Sequence, residues 1–183
     1  AAKQQIARVV KSYIPNGASI AISIGTTPAL TVHQLSDLRG LTIVTNNLMA
    51  ALNACSLPAV EVHVPGGAVR PEARDILGPE VEAFFESFKV DIGLYGVGGV
   101  DEQGELLDFS RDEVQVREII RRNCRRSFLV LDASKFGRAA HVRGGWISDA
   151  DIVFCDREPP TQIRQAIEAA GHEVVLCSDG GVS

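Results

Sequence analysis

The apolar run 19–24 leads directly into Gly25, Thr26, Thr27 and Pro28, within the sequence SIGTTPAL. Glycine lets the backbone approach a ligand closely, threonine hydroxyls can donate hydrogen bonds, and proline suits the first turn of a helix. The N-terminus of a helix also attracts phosphate through its free N–H groups and its dipole. This segment therefore predicts either an anion site or a plain threonine cap. It is not a P-loop, because the chain contains no G-x-x-x-x-G-K-[ST] sequence.

Polar residues also follow the next two predicted strands. Asn46 and Asn47 come after the apolar run 41–45, where asparagine amides could bind a ligand or could cap the following helix. The sequence PGGAVR supplies Gly67 and Arg70, and the guanidinium of Arg70 could pair with an anion or lie solvated on the surface.

Four further candidate residues follow the later strands. The sequence GVGGVDEQGE contains Gly98 and the carboxylate of Asp101, and it resembles the dinucleotide-binding pattern G-x-G-x-x-G only weakly. Glu113 near the start of a helix could bind a ligand or could only offset the helix dipole. Lys135, in DASKFGR, lies close behind an apolar run, where a cation suits a phosphate or a carboxylate.

The periodicity of apolar residues predicts an alternation of strands and helices. Runs that are apolar throughout suit strands covered on both faces, and their alternation with helices predicts a mostly parallel open sheet flanked by helices, an α/β fold. The predicted strands are 19–24, 41–45, 60–64, 91–97, 127–132, 151–156 and 173–177. The predicted helices are 3–13, 28–36, 47–54, 78–88, 112–124 and 160–170.

The chain shows no internal repeat or linker, so we expect one domain over residues 1–183. The run VEVHV at 60–64 alternates in polarity, which predicts an edge strand. The segments 100–110 and 134–148 fit neither pattern and predict a small additional lobe. In an open parallel sheet, ligands bind at the carboxyl ends of the strands, where all the candidates above lie.

Composition and charge exclude several classes of protein. The net charge of −5 argues against nucleic-acid binding by this chain alone, and no apolar run reaches the roughly 20 residues of a membrane span. The four cysteines lie far apart, and Cys155 and Cys177 fall in apolar runs, which predicts reduced core thiols, a cytoplasmic protein and no zinc site. Because the sole methionine is Met49, we expect the chain to be part of a longer protein.

The ordered set GTTPAL, TIVTNNL, VPGGAVR, GVGGVDEQGELLDF, DEVQVREII and LDASKFGR resembles the C-terminal sensor domain of DeoR-family bacterial transcriptional repressors over residues 3–178. The resemblance implies a fold similar to ribose-5-phosphate isomerase, glucosamine-6-phosphate deaminase and CoA-transferase-like proteins. It also implies an effector-binding and oligomerisation domain that forms a homo-oligomer. In the family, operator DNA is bound by an N-terminal winged helix-turn-helix, which this chain lacks.

The resemblance further implies that the chain binds a phosphorylated sugar or polyol, which controls operator binding by the full-length repressor. The stretches IPNGASI, IGTTP, TNNL and GELLDF favour sn-glycerol 3-phosphate. Carried onto this sequence, the turn Gly25, Thr26 and Thr27 would hold the phosphate. Asn46, Asn47, Asp101, Glu113 and Lys135 would line the remainder of the site. No catalytic residue, cofactor or metal is implied.

Three points stay open. The chain could be a pure oligomerisation module that associates with itself and does not respond to a ligand. A sugar-phosphate isomerase or deaminase could use Asp101 and Glu113 as carboxylates, although this chain has GVGGVDE where the deaminase loop reads G-x-G-x-D-G-H. Many family members carry lysine where this chain has Arg117. A guanidinium is not equivalent to an ammonium, so it stays open whether this position contacts the ligand. We expect structural or interfacial roles for a basic cluster of five arginines, Arg117, Arg121, Arg122, Arg125 and Arg126.

Overall fold

A computed structural model describes residues 1–178, and a seven-stranded parallel sheet forms their centre. Its strands are β1 (Ser19–Ile22), β2 (Thr42–Thr45), β3 (Glu61–His63), β6 (Val90–Tyr95), β9 (Cys124–Leu131), β11 (Ile152–Cys155) and β12 (Glu173–Leu176). The spatial order is β12-β11-β9-β6-β1-β2-β3. The sheet follows from near-continuous apolar runs, and it confirms the predicted fold class and all seven predicted strands.

In the described part of the chain, six α-helices flank the sheet, and each corresponds to a predicted helix. They are α1 (Ala2–Lys11), α2 (Thr26–His33), α3 (Leu48–Ala54), α4 (Pro79–Glu86), α5 (Arg111–Arg122) and α6 (Thr161–Ala169). The prediction for α2 was wrong at its start, because the helix begins at Thr26 rather than at residue 28. The hydroxyl-rich turn is therefore itself the first turn of the helix.

Alternate residues of the central strands enter two separate cores. Ile20 and Phe128 pack in one core with the apolar residues of α1, α2 and α3. Ala21 and Leu129 face the opposite side and pack with α4, α5 and α6. The period-two alternation of side chains thus divides every central strand between two helical layers.

The strand order reverses at β1, which places a crevice at its carboxyl end. The strand β1 pairs with β2 on one side and with β6 on the other, so the chain leaves β1 in one direction and later returns on the opposite side. Such a switch point opens a crevice between neighbouring loops. The loops that follow β1 and β6 are those containing Gly25 and Gly98.

Two small antiparallel sheets complete the fold. The strands β7 (Gly99–Val100), β8 (Glu105–Asp108) and β10 (Val142–Trp146) form one, which confirms the additional lobe predicted from 100–110 and 134–148. The strands β4 (Val69–Arg70) and β5 (Asp75–Ile76), which follow β3 in the chain, form an antiparallel hairpin.

Other predictions concern the edge of the sheet and its core. The strand β3 lies at one edge, as its alternating polarity predicted. Cys155 and Cys177 are free thiols and fully buried, as predicted. Over residues 1–178, no helix combines the length and apolar character that a membrane span requires, and no cluster of three acidic, histidine or cysteine side chains could hold a metal ion.

Candidate functional site

A cavity of about 220 Å³ lies at the carboxyl ends of β1, β6 and β9. Its wall consists of Lys3, Ile24, Gly25, Thr26, Thr27, Pro28, Gly96, Val97, Gly98, Asp108, Phe109, Glu113, Val130, Leu131, Lys135 and Arg138. Six of the eleven sequence-predicted site residues meet here: Gly25, Thr26, Thr27, Gly98, Glu113 and Lys135. The cavity is thus built from several strand ends, as the parallel topology requires.

The turn after β1 presents unused hydrogen-bond donors at the cavity wall. Within residues 1–178, the backbone N–H groups of Gly25, Thr26 and Thr27 donate no hydrogen bond, and no side chain caps α2. Gly25 has φ +110° and ψ 166°, a conformation essentially restricted to glycine. Free donors at a helix N-terminus are suited to an anion.

The residues after β2 hold this turn in place. Asn47 Nδ2 donates to the carbonyl oxygens of Gly25 at 2.9 Å and Ser23 at 3.2 Å, while its Oδ1 accepts from Ala50 N at the start of α3. Thr45 Oγ1 donates to Ile22 O at 2.7 Å and accepts from Asn47 N. The three hydrogen bonds of the Asn47 side chain all go to the backbone, and two of them position the turn.

Three cations surround the cavity without an ion-pair partner. Lys3, Lys135 and Arg138 line it, and none has a carboxylate within 4.0 Å in the described part of the chain. The guanidinium carbon of Arg138 lies 5.4 Å from the ring centroid of Phe109 at the rim. Burial lowers the pKa of the Lys135 ammonium, and the positive charges of Arg138 and Lys3 lower it further. An anion in the cavity would relieve this repulsion.

Short-range contacts fix the loop that carries two of these cations. A 3₁₀ turn over Ala133–Lys135 is capped by Asp132, whose carboxylate accepts from Ser134 N at 3.0 Å. Gly137 N donates to Val100 O at 2.8 Å, which joins the loop to β7. A Cβ on the adjacent Gly99 would lie 2.2 Å from Arg138 O, so only glycine allows this approach.

The carboxylate of Asp108 belongs to a buried ion pair. Arg117, which is 2 % exposed, places Nε 3.0 Å from Asp108 Oδ2, Nη1 2.9 Å from Glu118 Oε1 and Nη2 2.6 Å from Gly144 O. Asp108 Oδ1 in turn accepts from Gly98 N at 2.8 Å. Arg117 therefore positions the Gly98 loop through Asp108, a structural role that fits the prediction for the basic cluster.

The second carboxylate at the cavity, Glu113, is bound to Arg70. Arg70 contacts both oxygens of the buried Asp75 at 2.7 and 2.8 Å, and its Nη1 lies 3.1 Å from Glu113 Oε1. Glu113 Oε2 accepts from Phe109 N. The hydrogen bond to Asp75 is the largest cause that raises the pKa of Arg70. Arg70 thus neutralises the carboxylates of Asp75 and Glu113. Of these three residues, Glu113 alone lines the cavity.

An adjacent groove of about 510 Å³ shares Ile24, Gly25, Thr26 and Glu113 with the cavity. Asn47 and Arg70 line this groove and not the cavity. It extends toward Arg74, a residue with a positive φ of 54°.

Three predicted site residues line neither space. Asn46 is fully buried and donates through Nδ2 to Ile76 O at 2.9 Å. Gly67 has φ +133° and packs so closely that a Cβ would lie 2.9 Å from Ile76 Cγ2. The carboxylate of Asp101 accepts from the N–H groups of Gln103 and Glu105 in the β7–β8 turn, and it borders a separate depression of about 250 Å³.

Sequence reasoning left Lys3 and Arg138 out of the site. Arg138 was part of the DASKFGR segment, but a lysine and an arginine three residues apart usually lie solvated. Lys3 lies three and four residues before the fully buried Ile6 and Ala7, which puts it on the inward face of α1. The spacing could have predicted that Lys3 faces inward. It could not have predicted which strand ends the first turn of α1 lies against.

Residues 1–157 match the family model described as the DeoR C terminal sensor domain. The chain is 38% identical to the glycerol-3-phosphate regulon repressor of Escherichia coli (strain K12) over 175 residues, which cover 96% of this chain and 69% of that protein. It is 32% identical to the HTH-type transcriptional repressor CsqR of the same strain, over 95% of this chain and 67% of that protein.

A solved ribose-5-phosphate isomerase, in complex with phospho-erythronic acid, matches 73% of this chain with a TM-score of 0.50 and 16% identity. The match spans 52% of the isomerase chain. This likeness confirms the predicted fold.

Proposed function

Because the chain belongs to the DeoR C-terminal sensor domain family, we propose that it senses a phosphorylated sugar or polyol in the cavity at the ends of β1, β6 and β9. The specific effector we propose is sn-glycerol 3-phosphate. Its binding would control the affinity of the full-length repressor for operator DNA, through the N-terminal winged helix-turn-helix and a homo-oligomer of this domain.

One observation carries the proposal: among residues 1–178, three cations without an ion-pair partner and three N–H groups without an acceptor line the same cavity. Lys3, Lys135 and Arg138 supply positive charge, and Gly25, Thr26 and Thr27 supply backbone donors. A phosphate dianion has three terminal oxygens that can accept several charge-assisted hydrogen bonds at once. A neutral sugar or polyol would leave the repulsion among the cations in place.

The polyol end of the effector is assigned to the side of Glu113. This carboxylate borders both the cavity and the adjacent groove, and it is held by Arg70 and Phe109 N. A fixed carboxylate accepts hydrogen bonds from hydroxyls, which suits a polyol and disfavours a second anionic group. The choice of glycerol 3-phosphate is supported by the name of the 38% identical relative.

The same geometry supports a sensor rather than an isomerase or deaminase. A carbon-acid reaction needs a general base that is free to take a proton. Of the two carboxylates on the cavity wall, Asp108 is bound by Arg117 and Gly98 N, and Glu113 is bound by Arg70 and Phe109 N. Both are thereby committed to holding the protein structure.

Isothermal titration calorimetry with sn-glycerol 3-phosphate, glycerol and inorganic phosphate tests the proposal. We expect binding of sn-glycerol 3-phosphate, weaker binding of inorganic phosphate and none of glycerol, with affinity falling as salt rises. In the full-length protein, sn-glycerol 3-phosphate should change operator affinity in a gel-shift titration. Absence of binding by any polyol phosphate, or turnover of ribose 5-phosphate or glucosamine 6-phosphate, would reject it.

A further inference from the structure

The helix α1 brings a charge to the cavity that none of the strand-end loops supplies. Its inner face buries Ile6, Ala7 and Val10 completely, which anchors the middle of the helix against α2 and the sheet. Lys3 lies one turn before Ala7 on the same face and lines the cavity. The first turn of α1 is thus the only part of this helix that touches the cavity within residues 1–178.

Within residues 1–178, the first turn of α1 carries a positive charge, on Lys3, that has no ion-pair partner. The first turn of α1 contains no acidic residue. Lys3 places a positive charge near the positive end of the helix dipole. It also faces Lys135 and Arg138 across the cavity, again with no carboxylate within 4.0 Å in the described chain.

We propose that Lys3 contacts the bound phosphate, and that occupancy of the cavity thereby stabilises the first turn of α1. This inference rests on the proposed function, because it requires an anion in the cavity. A dianion between Lys3 and the two other cations turns repulsion into attraction. The segment from Ile6 onward is anchored by apolar burial and stays folded with or without the ligand.

Amide hydrogen exchange in the first turn of α1 measures directly whether ligand binding stabilises that turn. Gln5 N donates to Ala1 O at 3.0 Å, so exchange at Gln5 requires the first turn to open. We expect saturation with sn-glycerol 3-phosphate to slow exchange at Gln5 severalfold, while Val10 changes little. Glycerol at the same concentration should leave Gln5 unchanged.

The variant Lys3→Gln tests the contact, with Arg8→Gln as its matched control. Both remove one positive charge from α1, but Arg8 is exposed and does not line the cavity. Lys3→Gln should weaken binding of sn-glycerol 3-phosphate about tenfold, the size expected for one charge-assisted contact. It should also abolish the slowing at Gln5 in saturated samples. Arg8→Gln should retain both the affinity and the slowing.

The outcomes separate this inference from the function beneath it. If the unsubstituted domain binds neither sn-glycerol 3-phosphate nor inorganic phosphate, the proposed function fails and this inference fails with it. If the domain binds sn-glycerol 3-phosphate, but Lys3→Gln keeps full affinity or exchange at Gln5 does not slow, only the role of Lys3 and α1 is overturned.

Discussion

The side-chain nitrogen Nδ2 of Asn47 lies 2.9 Å from the carbonyl oxygen of Gly25, and this hydrogen bond joins the turn after β2 to the turn after β1. A second bond from the same amide reaches Ser23 O. Both carbonyls accept hydrogen bonds from Asn47, and the N–H groups of the turn have no acceptor among the residues that the structure describes. Asn47 thus positions the turn at the cavity without lining the cavity itself.

The variant Asn47→Ser should separate the two roles of this residue. Serine remains a good N-cap for α3 but cannot reach Gly25 O and Ser23 O. We expect the unfolding free energy to fall by about 1–2 kcal/mol and the affinity for sn-glycerol 3-phosphate to fall about tenfold. Urea denaturation and calorimetry measure the two effects.

The matched control for this variant is Asn53→Ser. Asn53 Nδ2 also donates to a backbone carbonyl, Ala29 O at 3.0 Å, but it does not touch the turn. We expect a smaller loss of stability and unchanged affinity. Equal losses of affinity in the two variants would show that Asn47 has no special role in the turn.

The conformation of Gly25 gives a second prediction. Alanine in this region of backbone space costs about 1–3 kcal/mol, and relief of the strain would move the N–H groups of the turn. Gly25→Ala should therefore lose both stability and anion binding. Gly17→Ala supplies the comparison, because Gly17 has φ +76° and lies before β1, away from the cavity. It should lose stability alone, as measured by denaturation and calorimetry on both proteins.

Lys135 should be a residue that improves binding at the expense of stability. Its folded-state pKa is lowered by burial and by Arg138, so the charged ammonium disfavours the folded state at every pH below that pKa. Lys135→Gln should therefore raise the unfolding free energy at pH 7. The same change should weaken sn-glycerol 3-phosphate binding at least about tenfold.

The sign of the pH dependence follows from the same shift. Because the pKa of Lys135 is lower in the folded state than in the unfolded state, its contribution to stability improves as pH rises through the folded-state pKa. Lys135→Gln should remove that rise from the difference between the two proteins. Lys89→Gln is the control, since Lys89 is exposed near the start of β6. A Lys135 variant that is less stable than its parent would contradict this assignment.

Arg117 should matter for stability far more than its neighbours on α5. Its removal leaves the carboxylates of Asp108 and Glu118 without their buried partner, which costs about 3–5 kcal/mol. Arg117→Ala should fall in that range by denaturant unfolding, whereas the exposed Arg122→Ala should change stability by less than about 0.5 kcal/mol. Lysine at position 117 cannot reproduce the three contacts of the guanidinium, so Arg117→Lys should lie between the two.

The sequence was a reliable guide to the parallel sheet but only a partial guide to the site. Burial could be predicted from apolar runs such as those of β1 and β9. The anion-binding groups of the glycine-threonine turn could also be predicted, because they lie within four consecutive residues. The ion pairs of Arg70 and Arg117 could not be predicted, because their partners depend on how the β4–β5 hairpin and α5 pack. Asp101 is a further example. Its carboxylate accepts two backbone hydrogen bonds in the β7–β8 turn, and this turn could not be predicted from the sequence.

A crystal structure of the domain with sn-glycerol 3-phosphate tests the central claim most directly. The account predicts phosphate density within hydrogen-bond distance of the N–H groups of Thr26 and Thr27 and of the ammonium of Lys135. Phosphate bound elsewhere, or an empty cavity in crystals grown at saturating ligand, would contradict it.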